Sequence, residues 1–122
     1  MITYCVEVDN LGTIRWYQPG LGRLHRLDGP AVERHDGDRE WWQNGLLHRI
    51  DGPAIELTSG TKKWFSNDFL HRIDGPAIEW CDGSLEYHYQ GVHYSEKQFC
   101  ELMNDIRQAK EEIQRARSSL EM

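Results

Sequence analysis

Leu47-His48-Arg49-Ile50-Asp51-Gly52-Pro53-Ala54 has two near-copies in the chain: Leu24-His25-Arg26-Leu27-Asp28-Gly29-Pro30-Ala31 before it and Leu70-His71-Arg72-Ile73-Asp74-Gly75-Pro76-Ala77 after it. Both steps are 23 residues, from 24 to 47 and from 47 to 70. An exact period of this length marks a protein stacked from one supersecondary unit, each copy burying what its neighbour cannot bury alone. Between the blocks, Trp41, Trp64 and Tyr87 each follow a glycine (Gly37, Gly60, Gly83) by four residues, and Gly12 with Trp16 extends the pattern towards the N-terminus. Gly91-Val92-His93-Tyr94 reads as a worn fourth copy, one residue short.

Asp36-Gly37, Ser59-Gly60 and Asp82-Gly83 stand between short β-branched and aromatic runs, a signal for two-residue hairpin turns. With such turns, Val32 faces Trp41, Ile55 faces Trp64 and Ile78 faces Tyr87, which makes one apolar face. Glu33 then faces Glu40, and Glu79 faces Glu86. The opposite face carries Glu33, Glu56 and Glu79 beside Trp42, Phe65 and His88, and is expected to be the contact surface. The fold class is therefore mainly β: tandem hairpins in an elongated single-layer antiparallel sheet over residues 1–94, in units of about 1–23, 24–46, 47–69 and 70–94. A C-terminal α-helix follows over 95–122.

Ser95 and Gln98 form a capping box at the start of that helix. Phe99, Leu102, Ile106, Ala109, Ile113, Ala116 and Leu120 make a narrow heptad seam, fit either for the chain's own sheet or for a homodimer.

Charge argues against nucleic acid as a direct ligand. The net charge is −6, and residues 95–122 contribute only −1, five cations against six acids, so the repeat region carries −5; phosphate binding rests on Lys and Arg displacing counterions. The three cysteines, Cys5, Cys81 and Cys100, have no Cys-x-x-Cys pairing and are expected to be buried, reduced thiols in a cytoplasmic protein. No apolar run approaches the ~20 residues of a membrane span.

The column His25, His48, His71 and His93 invites a metal reading. Equivalent atoms in successive units lie about 9.5 Å apart, two strand spacings, whereas zinc ligands sit ~2.0–2.3 Å from one ion. The His, Arg and Asp of the block are thus expected to hold the loop. Neither nucleophile nor nucleotide motifs occur, so no catalytic residue, cofactor or metal is assigned.

A 23-residue hairpin unit with spaced glycines, an aromatic after the turn and a closing His-Arg-x-Asp-Gly-Pro-Ala resembles the MORN repeat, in a variant form similar to repeats of bacteriophages and large DNA viruses. The resemblance covers roughly residues 1–94. It implies an elongated single-layer sheet and protein association. The leading expectation is a phage-encoded inhibitor that occupies the surface of a larger protein in the host cytoplasm, and the acidic face suits a basic, nucleic-acid-binding target. A structural, assembly or dimerisation scaffold is one rival reading, and a small ligand-binding protein or minor enzyme is the other.

Overall fold

A computed structural model describes residues 3–120. Its strands are β1 (Cys5–Val8), β2 (Ile14–Tyr17), β3 (Val32–Glu33), β4 (Arg39–Glu40), β5 (Trp42–Gln43), β6 (Leu46–Leu47), β7 (Ile55–Glu56), β8 (Lys62–Lys63), β9 (Phe65–Ser66), β10 (Phe69–Leu70), β11 (Ile78–Glu79), β12 (Leu85–Tyr89) and β13 (Val92–Tyr94), followed by α1 (Glu96–Leu120). Nine of them form one antiparallel sheet in the order β1-β2-β3-β4-β7-β8-β11-β12-β13. The pairs β5-β6 and β9-β10 are two-stranded arms. The fold is the expected one: mainly β, an open sheet of hairpins, with one C-terminal helix.

The register differs from the expected one by a single residue. Val32 faces Glu40 and Glu33 faces Arg39; Ile55 faces Lys63 and Glu56 faces Lys62; Ile78 faces Glu86 and Glu79 faces Leu85. The cause is the turn. Gly37 donates to the Arg34 carbonyl at 2.9 Å while Arg34 N–H donates to Asp38 at 2.9 Å, and Gly37 is left-handed at φ 100°. This is a turn closed by a glycine bulge, with one residue more than a two-residue loop, and it recurs at Gly60 and Gly83.

A one-residue slip moves every side chain to the other face. Val32 and Trp41 therefore lie on opposite sides, and so do Glu33 and Trp42. No like-charged pair Glu33–Glu40 or Glu79–Glu86 exists. Along one side the order is instead Glu33, Arg39, Glu56, Lys62, Glu79, a ladder of alternating charge.

The two-residue hairpins lie elsewhere. Asn44-Gly45, Asn67-Asp68 and Gln90-Gly91 each hold two successive left-handed residues (φ 52° and 78°, 48° and 71°, 49° and 83°), as a type I′ turn requires. They join β5 to β6, β9 to β10 and β12 to β13.

The core is thin. Ala31, Ala54 and Ala77 are fully buried, with Val32, Ile78 and Phe99 nearly so, while Trp41 and Trp64 are half-buried. Cys5, Cys81 and Cys100 are exposed and free, contrary to the expectation of buried thiols.

The capping box forms as expected: Ser95 N–H donates to Gln98 Oε1 at 3.1 Å, and Gln98 N–H to Ser95 Oγ at 3.2 Å. The helix seam divides in two. Phe99 is buried against Tyr87 (ring centroids 5.1 Å apart), and Leu102 and Ile106 are half-buried, whereas Ala109, Ile113, Ala116 and Leu120 are exposed. No helix among the described residues is long and apolar enough to cross a membrane.

Candidate interaction surface

The eight-residue block builds one rigid loop in three copies. In the middle copy the Arg49 guanidinium lies 3.8 Å from the Trp41 ring centroid, a cation–π stack. It donates to Asp51 Oδ1 (3.0 Å), the Pro53 carbonyl (3.0 Å) and Glu56 Oε1 (3.3 Å). Its other face rests on Gly52, where an added Cβ would lie 2.9 Å from Cζ. Arg26 repeats the arrangement with Trp16 and Gly29, and Arg72 with Trp64 and Gly75. These glycines do not have positive φ; they are small because a guanidinium is packed against them.

The histidines hold the two-residue turn that follows each block. His25 Nδ1 accepts from Asn44 N–H at 2.9 Å, His48 from Asn67 at 3.2 Å and His71 from Gln90 at 2.9 Å. Each imidazole thus fixes the next type I′ turn as its neutral Nε2–H tautomer. Burial depresses the His71 pKa, which favours the neutral form it needs.

The expected contact column, Glu33, Glu56 and Glu79, is not a free acidic surface. Glu56 pairs with both Arg49 (3.3 Å) and Arg39 (3.2 Å), Glu79 with Arg72 (2.9 Å), and Glu33 lies 3.8 Å from Arg26. Glu40 and Glu86 belong to the opposite side with Trp42, Phe65 and His88. Glu40 accepts from Arg34 (2.7 Å) and Trp42 Nε1 (2.9 Å). Glu86 accepts from Trp80 Nε1 at 2.6 Å and lies 3.2 Å from His88 Nε2; the Trp80 bond, with His88 adding, holds its carboxyl below the usual range. His93 leaves the histidine column altogether and faces His88 across the sheet.

What the loops leave exposed is the residue pair between Arg and Gly. Leu27, Ile50 and Ile73 are 54%, 88% and 60% exposed, and the side chains of Asp28, Asp51 and Asp74 stand beside them in solvent. Successive tips are about 9.5 Å apart by strand spacing. Between the first two tips runs an open groove of about 570 Å³ floored by Trp41 and Arg49, and between the second and third one of about 620 Å³ floored by Trp64 and Arg72. Beyond the third tip the missing loop is replaced by α1, and Ile73 and Tyr89 share a cleft with Met103, Ile106, Arg107 and Lys110. Sequence reasoning passed over the tips because it treated recurring residues as structural; the signal was an aliphatic residue kept between Arg and Asp in all three blocks.

Comparison with protein-family models, with curated proteins and with solved structures finds no significant match.

Proposed function

We propose that this protein is a non-catalytic interaction module whose contact surface is the row of aliphatic and acidic loop tips, Leu27-Asp28, Ile50-Asp51 and Ile73-Asp74, with the two grooves between them. Its partner is a basic, amphipathic helical segment of a larger protein. The observation that carries this reading is the third tip, which meets α1 through Ile106 with Arg107 and Lys110 alongside. Apolar side chains entering an aromatic-floored groove, with cations near the Asp row, extend that arrangement to the open tips. The MORN-like pattern and the acidic tips fit the role of an inhibitor covering a basic, nucleic-acid-binding surface, as expected for a phage-type repeat.

The test is co-purification from the cell that expresses the gene, comparing wild type with an Ile50→Ser, Asp51→Lys variant. Asp51→Lys removes one bond to Arg49 while the Trp41 stack and the Pro53 and Glu56 bonds remain, so a thermal melt of the variant checks its folding, and the partner's affinity is expected to fall at least tenfold, or ~1.4 kcal/mol. Undiminished binding by that variant, with loss in a Glu33→Lys, Glu79→Lys variant, would return the contact to the glutamate ladder.

A second reading, self-association, is favoured by one observation: Ile113 and Leu120, 53% and 86% exposed, continue the helix seam with Ala109 and Ala116 beyond the sheet.

A further inference from the structure

Where the third repeat departs from the other two, one cross-strand pair changes from apolar to metal-ligating side chains. On the sheet side away from the arginine stacks, the first unit pairs Trp42 with Leu47 across its hairpin, and the second pairs Phe65 with Leu70. In the third, the same positions are His88 and His93. Two residues before His88, on the same side of β12, stands Glu86; the second unit has Lys63 there, so it lacks both the imidazoles and the carboxylate. Equivalent positions in one chain share the same backbone, so the change is one of chemistry rather than of fold.

We propose that Glu86, His88 and His93 form a metal site for a borderline divalent ion, Zn²⁺ foremost. One ligand atom from each lies within 4.8 Å of the other two. The His88 Nε2 to Glu86 Oε1 distance is already 3.2 Å, close to the roughly 3.4 Å between ligands of a tetrahedral ion with bonds of ~2.0–2.2 Å. His93, stacked on His88 with centroids 4.7 Å apart and planes 15° from parallel, is exposed and free to swing its nitrogen inwards. Trp80 Nε1 holds the other carboxylate oxygen at 2.6 Å, the kind of supporting contact that orients a metal-bound carboxylate.

An independent sign is His88 itself. It is 7% exposed, and among the described residues the one polar side chain its ring nitrogens meet is Glu86, through Nε2. An imidazole placed so, where its counterparts are Trp and Phe, is poorly explained as packing. Two histidines and a carboxylate suit Zn²⁺, and three protein ligands leave a fourth position open to water or to a donor from another molecule.

The experiment is calorimetric titration of the chelator-treated full chain with Zn²⁺, and with Co²⁺ followed by visible absorption. One ion per chain and the intense d–d bands of a four-coordinate Co²⁺ site are expected. His93→Asn, at an exposed position, is expected to weaken binding at least tenfold, the scale lost when even a supporting contact is removed. His88→Phe with His93→Leu rebuilds the apolar pair of the second unit. This variant is expected to fold, to lose the site, and to lose the rise in melting temperature that Zn²⁺ gives the wild type. It keeps Cys5, Cys81 and Cys100, so binding by exposed thiols is subtracted. Equal affinity in wild type and double variant, or a Co²⁺ spectrum unchanged by His93→Asn, overturns the site and leaves a hydrogen-bonded Glu86–His88 pair with His93 stacked on it.

Discussion

At the scale of single residues, each repeat is organised around one guanidinium. Arg49 is stacked on Trp41, bonded to Asp51, Pro53 and Glu56, and pressed against Gly52. Planarity matters on both faces, and a lysine supplies neither the fork nor the flat surface. Gly52→Ala forces a methyl to 2.9 Å from a guanidinium that Trp41 prevents from retreating. Overpacking of this kind costs typically ~1–3 kcal/mol. Urea unfolding of Gly52→Ala is expected to show a loss in that range, and a loss below ~0.5 kcal/mol would mean the arginine is loosely held. The block's importance was legible in the sequence from its recurrence, but its centre was not. Nothing in His-Arg-x-Asp-Gly-Pro-Ala tells that Arg49 reaches back eight residues to a tryptophan, because that contact exists only once the strand between them has folded back.

Among the elements, turns decided what could be read in advance. Gly12, Gly37, Gly60 and Gly83 were recognisable as turn glycines, yet a bulge and a two-residue loop share the same dipeptides and differ by one residue of register. That one residue reversed the faces. It converted two supposed glutamate repulsions into a ladder of opposite charges, the more favourable cross-strand arrangement. Asn44-Gly45 carried the strongest hairpin signal in the chain and marks a true type I′ turn; the neighbouring repeats hid it, since Asn67-Asp68 and Gln90-Gly91 lack one or the other residue. The helix was legible in both its start and its seam, but not where the seam would stop touching the sheet. Ile106 lies in the cleft with Ile73 and Tyr89, and Ile113 lies beyond it. Ile106→Asp is therefore expected to lower stability by about 1–3 kcal/mol, and Ile113→Asp to change it by no more than ~0.5 kcal/mol. Thermal melts separate the two. Sedimentation of the Ile113→Asp protein reports on self-association independently, because folding is not at stake.

For the whole molecule, successive units are joined by bonds that repeat at a fixed interval. At the bulged turns His35 N–H donates to Thr13 Oγ1, Thr58 N–H to Asp38 Oδ1 and Cys81 N–H to Thr61 Oγ1, while His25, His48 and His71 repeat at the same interval within the units, each holding the two-residue turn after its block. Stability in such an array is a sum of unit and neighbour terms. One of the bonds within the units is sensitive to acid. His71 has a folded-state pKa below its ordinary 6.5, so the unfolded chain takes up the proton first as pH falls. Its contribution is complete above about pH 6.5 and is lost as pH falls from there through the folded pKa. Melting temperature is expected to decline over that window, and His71→Gln, whose amide oxygen accepts without binding a proton, is expected to flatten the decline. An unchanged slope would place the acid sensitivity elsewhere. The fixed interval has a further consequence for heredity. Since each unit offers its successor a side-chain oxygen (Thr13, Asp38 or Thr61) at the place where it takes one from its predecessor, in-frame duplication or deletion of one 23-residue segment between Leu24 and Ala77 keeps an acceptor at each joint. The gene can therefore lengthen or shorten the row of loop tips by recombination between its own copies, changing reach without inventing a new fold.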